Sequence, residues 1–213
     1  MIGFGPGVGF GIARAFAKWG ISSLMSRNPE NLRSQIELLS KDASKVDPFS
    51  VDAGEPDSIA QFVQAAIGKS GNVDVLIYNV VALARGRPST IQPATLTSEL
   101  NINVSGALAS VRAVLPDMLQ RKSGTLLFSG GGWTVYPAME FASISIGKAA
   151  LRSLSLMLAE ELRDSGVRAG MVTIIGAVEA GAPFDPQKIG RSFDDLYRQP
   201  TDQFPAEIYF RGT

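Results

Sequence analysis

Glycine occupies every second position from Gly3 to Gly11, and Gly20 follows nine residues later. Glycine loses more backbone freedom on folding than any other residue, so such a run implies a chain that needs positive φ or close backbone approach. Directly behind it, Ile12, Ala13, Ala15, Phe16 and Ala17 recur at helical spacing, with Arg14 and Lys18 turned outward. A glycine loop feeding an amphipathic helix presents free N–H groups and the positive helix end to a phosphate. A merely flexible terminus is the competing reading, and the immediate onset of helical periodicity weighs against it.

The rest of the chain alternates strand-like and helix-like stretches. Residues 21–25 read as a strand, 29–39 as a helix, and 46–51 as a second strand in which Pro48 argues for irregular pairing. A helix is expected near 58–67, and residues 73–78 and 124–129 are apolar runs typical of strands buried on both faces. Helices over 96–120 and 141–163 and strands over 167–175 and 207–211 complete the order. This rhythm predicts an α/β fold of the Rossmann kind: a doubly wound parallel sheet in three α/β/α layers, a single domain over residues 1–213. Only Met1 and Ile2 precede Gly3 where a strand of about five residues is expected. Either the sheet lacks most of its central strand, or the chain is a shortened form of a longer one.

Composition removes several chemistries. Twenty Lys plus Arg balance twenty Asp plus Glu, which gives no electrostatic call for nucleic acid or an anionic membrane. No cysteine and no histidine occur among the 213 residues, so thiolate nucleophiles, Ser-His-Asp triads and the usual zinc sites are excluded. No metal site is expected. The absence of a membrane-length apolar run or a signal-peptide layout predicts a cytoplasmic protein with no membrane partner.

Seven stretches, in order, resemble the short-chain dehydrogenase/reductase superfamily over essentially the whole chain. Gly3-x-x-x-Gly7-x-Gly9 is similar to its glycine pattern, with Gly5 and Val8 inside it, and Ala13, Ala17 and Gly20 fit the following helix. Asp52-Ala53 fits the pair that contacts the adenine, and Tyr78-Asn79-Val80-Val81 lies where the family carries Asn-Asn-Ala-Gly. Asn103-Val-Ser-Gly106, Lys148-Ala-Ala and Ile175-Gly176-Ala-Val178 resemble the motifs of the catalytic asparagine, the active-site lysine and the nicotinamide wall. The resemblance implies an oxidoreductase binding a nicotinamide dinucleotide, with a small carbonyl or hydroxyl compound as substrate and a homo-oligomer, dimer or tetramer, as assembly. Helix pairing in that family would use the stretch holding Leu151, Leu154, Met157, Leu158, Glu161 and Leu162, although core packing explains the same leucines.

The departures from the pattern concern proton transfer. The family's tyrosine, four residues ahead of the lysine, is Ile144 here, and the alternative spacing lands on Phe141. The serine position is Gly131, with Ser129 two residues earlier. In the family the tyrosine protonates the forming alkoxide, the lysine lowers its pKa and holds a ribose, the serine fixes the substrate oxygen, and the asparagine carries a water relay. By resemblance Asn103, Lys148 and Ser129 are the catalytic candidates; Tyr136, Ser143 and Ser145 are the possible replacements for the missing acid. Losing a general acid costs roughly 10²–10⁴ in rate without removing dinucleotide contacts.

Arg27, beside Ser26 at the end of the strand over 21–25, stands where an acid would grip the ribose of NAD. A guanidinium there suits a 2′-phosphate, so NADP is expected over NAD. Asp52 could equally cap the next helix, Asn79 could be a turn residue, and Lys148 could reach the surface. Loops at 82–91 and 180–200 are expected to shape the substrate pocket. The alternatives are a nucleotide-binding sensor or partner subunit without turnover, and a chain whose reduced first strand leaves the glycine loop unable to bind.

Overall fold

The computed structural model describes residues 1–42 and 45–212. Helices α1 (Val8–Phe16), α2 (Arg33–Leu39), α3 (Pro56–Ser70), α4 (Pro93–Leu100), α5 (Gly106–Arg121), α6 (Ala142–Glu161) and α7 (Pro186–Tyr197) alternate with strands β1 (Ile21–Ser26), β2 (Lys45–Ser50), β3 (Val75–Tyr78), β4 (Gly124–Gly131), β5 (Val167–Ile174) and β6 (Glu207–Phe210). All strand pairs are parallel, in the groups β2-β1 and β3-β4-β5-β6. The expected Rossmann-type architecture is present.

Ile2 joins the two groups. It bridges Met25 on one side and Tyr78 on the other, in the place of the strand that leads into the glycine loop. Its N–H donates to the Ile77 carbonyl at 2.8 Å and its carbonyl accepts from Asn79 at the same distance. On the other side the Met1 carbonyl accepts from Met25 at 2.9 Å, and the Gly3 N–H donates back to Met25 at 3.1 Å.

Strand alternation sends Leu76, Leu126, Phe128, Ala169 and Met171 to a core beneath α3, α5 and α6. Ile77, Leu127, Val172 and Ile174 face the opposite core with α1 and α7. Both faces of the central strands are thus buried, the condition under which apolar runs replace alternation. Ion pairs tie the margins. Arg152 of α6 clasps Glu207 of β6, which also accepts from Thr173 at 2.7 Å. Asp194 of α7, almost fully buried, accepts from Lys18 at 2.6 Å and from the Trp19 indole at 2.7 Å.

Three expectations need correction. Residues 180–200 are not a pocket loop, because Pro186–Tyr197 forms α7 and packs on α1; Asp185 starts it by accepting from the Gln187 N–H at 2.7 Å. Pro48 does not disturb β2, which pairs with β1 over six residues as the edge strand, where a missing donor is harmless. The helix expected over 96–120 is α4 and α5 joined by a wide π turn at Asn101–Ser105.

Backbone contact between α1 and α7 explains two glycines. A Cβ on Gly11 would collide with the Pro186 carbonyl, and one on Gly190 with the Gly11 carbonyl. Gly68 on α3, by contrast, faces open space. Gly11→Ala is therefore expected to destabilise the fold by roughly 1–3 kcal/mol, while Gly68→Ala stabilises it by about 0.5–1 kcal/mol. Urea unfolding midpoints check the pair; equal effects would contradict the helix contact.

Candidate functional site

At the carboxyl edge of the sheet lies a cleft of about 660 Å³. Its floor is the glycine loop. Gly3 turns with φ +88°, and a Cβ there would stand 2.6 Å from the Asn79 carbonyl, so the loop must pass directly over the end of β3. Gly9 is excluded from a side chain by the Gly3 carbonyl, 2.8 Å from any Cβ. Gly5 and Gly7 differ: nothing lies within 4 Å of a Cβ on either, and both line the cleft. Gly7 caps α1 with no side-chain hydrogen bond, and its first turn carries no acid. An uncapped helix start over bare backbone is a seat for an anion. The residues present therefore fit a diphosphate.

Around this floor the cleft is lined by Val8, Ser26, Arg27, Asp52, Asn79, Val80, Ser129 and Val178 among the expected residues. Asn79 donates its side-chain amide to the Gly3 carbonyl at 3.0 Å, which ties the loop to the end of β3. Asp52 is no helix cap, since Glu55 holds that place on α3; it turns the chain by accepting from the Gly54 N–H at 2.8 Å. The exposed Arg27 guanidinium has no carboxylate partner among the described residues. Ala53 and Gly176 stay out of the wall: Ala53 is buried in the core, and a Cβ on Gly176 would strike the Phe184 ring.

Two expected catalytic residues are fully engaged with backbone. Asn103, buried on the π turn, accepts from the Ala82 N–H at 2.8 Å and donates to the Ala82 carbonyl at 3.0 Å. It clamps the segment leaving β3. Lys148, also buried, donates to the Ser129 carbonyl at 2.8 Å and the Val80 carbonyl at 3.3 Å. It stands behind the cleft wall and stitches β3 to β4. Burial pulls its pKa from 10.5 to about 8.

Proton donors are scarce. Ile144 lies one turn ahead of Lys148 on the same helix face and is buried. A Cβ at Gly131 would meet nothing within 4 Å. Tyr136 is 65% exposed, and the Ser145 hydroxyl is spent on the Phe141 carbonyl at 2.9 Å. Ser143 is buried with its hydroxyl unpartnered. Ser129 alone among the candidate hydroxyls lines the cleft. Among the described residues no cluster of ligating side chains could hold a metal, and no helix is long and apolar enough to cross a membrane.

Sequence reading missed Asn28 and Asn31, which line the cleft near Arg27. The Asn-Pro step that ends β1 was their available signal. It also missed the ring contacts after β4, where Trp133 stacks on Phe141 at 4.8 Å and Arg85 lies over the Phe141 ring at 5.5 Å.

Comparison with known proteins places these features in a family. The short chain dehydrogenase family matches residues 1–182. A short chain dehydrogenase of Pseudocercospora fijiensis is 28% identical over 97% of this chain and 71% of its own length. Oxidoreductase UcpA of Escherichia coli is 30% identical over 78% of this chain and 64% of its own length. Among solved structures, a metagenomic short-chain oxidoreductase in complex with NADP superposes with a TM-score of 0.86 at 25% identity, covering 97% of this chain and 93% of that one. A short-chain dehydrogenase from Rhodopseudomonas palustris shares the fold with a TM-score of 0.89 at 22% identity, covering 100% and 96%.

The buried lysine has a measurable signature. Between pH 8 and 10.5 its amine is protonated when unfolded and largely neutral when folded. The unfolded state then binds more protons, so stability rises with pH across that window. Relative to Lys148→Met, the native chain should gain up to about 3 kcal/mol from pH 8 to 10.5 in urea unfolding. Parallel pH curves for the two proteins would contradict the burial.

Proposed function

This chain belongs to the short-chain dehydrogenase family, and on that premise we propose that it is an NADP(H)-dependent oxidoreductase with an atypical proton-transfer site, acting on a small carbonyl or hydroxyl compound. The carrying observation is one continuous cleft. It runs from Arg27, over the open Gly5–Gly7 floor and the uncapped start of α1, past Asn79 to Ser129 and Val178.

In this reading the first-turn N–H groups of α1 hold the diphosphate, and Asn79 keeps their loop in register. Arg27, with Ser26, Asn28 and Asn31 beside it, takes the ribose 2′-phosphate through a charge-assisted contact. Asp52 and Val51 flank the adenine, Val80 borders the ring system, and Val178 closes the nicotinamide end. The NADP complex of the metagenomic relative supports the choice of cofactor.

When bound, the dinucleotide would contribute the hydride that reduces the carbonyl carbon. A proton must then reach the oxygen. In this reading Ser129 orients that oxygen, and solvent supplies the proton, because Lys148 is committed to the Ser129 and Val80 carbonyls behind the wall. A homo-oligomer in this reading would pair through the exposed Leu108 and Leu119 of α5 and Ile146 and Met157 of α6.

A second reading, dinucleotide binding without turnover, is favoured by one observation: the buried Ile144 fills the place of a proton donor. Fluorescence titration separates the readings when combined with a carbonyl panel. NADPH should bind roughly tenfold or more tightly than NADH, and Arg27→Ala should erase that preference. Equal affinities in the native chain would overturn the role of Arg27. Installing donors by Ile144→Tyr with Gly131→Ser should raise kcat roughly 10²–10⁴-fold at unchanged NADPH affinity. No NADPH oxidation by either protein, with binding intact, would leave the sensor reading.

A further inference from the structure

Two segments leave the cleft and meet on one ring. Ala82, after β3, and Gly130, near the end of β4, both line the cleft. Three residues beyond them stand Arg85 and Trp133, and both lie against Phe141. The Trp133 and Phe141 planes are stacked, 17° apart with centroids at 4.8 Å, and the Arg85 guanidinium lies 5.5 Å from the Phe141 centroid. Backbone pairing fixes the arrangement. The Gly86 N–H donates to the Glu140 carbonyl at 3.0 Å, and the Ala142 N–H donates to the Gly86 carbonyl at 3.1 Å.

This cluster belongs to the cleft side of α6. A helix that follows a strand of a parallel sheet starts beyond the carboxyl edge, the edge that carries the cleft. Phe141, directly before α6, is followed at three and four residues by Ile144 and Lys148, so the three share one helix face. On that face Lys148 reaches the Ser129 carbonyl at 2.8 Å. Phe141 is seven residues nearer the helix start, about 10 Å along the axis. The ring and the guanidinium over it therefore stand about 10 Å beyond Ser129.

Neighbouring charges leave Arg85 to a guest. Arg87 pairs with Glu140 at 2.8 Å. Arg85 is exposed and, among the described residues, has no hydrogen bond and no carboxylate partner. A guanidinium laid on an aromatic ring spends its face there and keeps its fork of N–H donors for a carboxylate. We propose that Arg85 anchors a carboxylate of the substrate, which is therefore a carbonyl compound with an acid group at the end remote from the reacting carbon. The proposal rests on the reductase reading and adds to it the charge and length of the substrate. A hydrogen bond of about 3 Å at the guanidinium leaves roughly 6–7 Å between carbonyl and carboxylate, the span of a para-substituted benzene ring.

Calorimetry on the full chain, with and without saturating NADP⁺, tests it by reading binding apart from turnover. The probes are 4-formylbenzoate and 4-formylbenzamide, alike in shape and unlike in charge. The acid should bind at least tenfold more tightly than the amide. Arg85→Gln should erase that preference by weakening the acid alone, with an unchanged thermal midpoint because the side chain is exposed. Arg87→Gln, which removes a guanidinium already paired, should keep it. In NADPH oxidation the Arg85→Gln loss should appear as a roughly tenfold higher KM for the acid at unchanged kcat; a fall in kcat instead would contradict the anchoring role. Equal affinity of the native chain for acid and amide would overturn the proposal. So would a preference that survives in Arg85→Gln, or no binding of the acid. NADPH affinity, titrated without either probe, shows separately whether the dinucleotide reading stands.

Discussion

Four backbone hydrogen bonds around Ile2 hold the molecule's two halves in one sheet. Without them β2-β1 and β3-β4-β5-β6 are separate ribbons. With them the Gly3 turn is delivered over the end of β3, the first turn of α1 reaches the carboxyl edge, and the cleft acquires its floor. A single bridging residue performs this task because each of its peptide groups is paired and its side chain is fully buried.

The cleft itself is built by polar residues that spend their valence on the chain. Asn79 holds the glycine loop, Asn103 holds the segment at Ala82, and Lys148 ties the ends of β3 and β4. Their common effect is to fix the carboxyl edge in one shape before any ligand arrives, which lowers the ordering cost of binding. What remains free for a guest is the uncapped helix start, the unpaired Arg27 guanidinium and the hydroxyl of Ser129. This division leaves bare backbone and an exposed guanidinium in the cleft, beside a buried isoleucine one helical turn from Lys148.

Much of the fold was legible because the signals were local. The glycine run declared the loop and α1, and the apolar stretches at 73–78 and 124–129 declared strands buried on both faces. Asp52, Asn79 and Arg27 stood at strand ends, where a parallel sheet places its cleft. What stayed hidden depended on tertiary partners. Helix α7 was read as loop although Asp185 and Pro186 form a start signal, because its apolar face shows its purpose only against α1. Pro48 looked disruptive until β2 proved to be the edge strand. The engagement of Asn103 with Ala82 could not be read at all, since it joins residues 21 apart through a π turn.

The most direct measurement is a crystal structure of the chain grown with NADPH. The account predicts diphosphate oxygens about 3 Å from the first-turn N–H groups of α1, the 2′-phosphate on Arg27, and the nicotinamide between Ser129 and Val178. Dinucleotide density lying away from the glycine floor, or none under conditions that saturate the protein in solution, would contradict it.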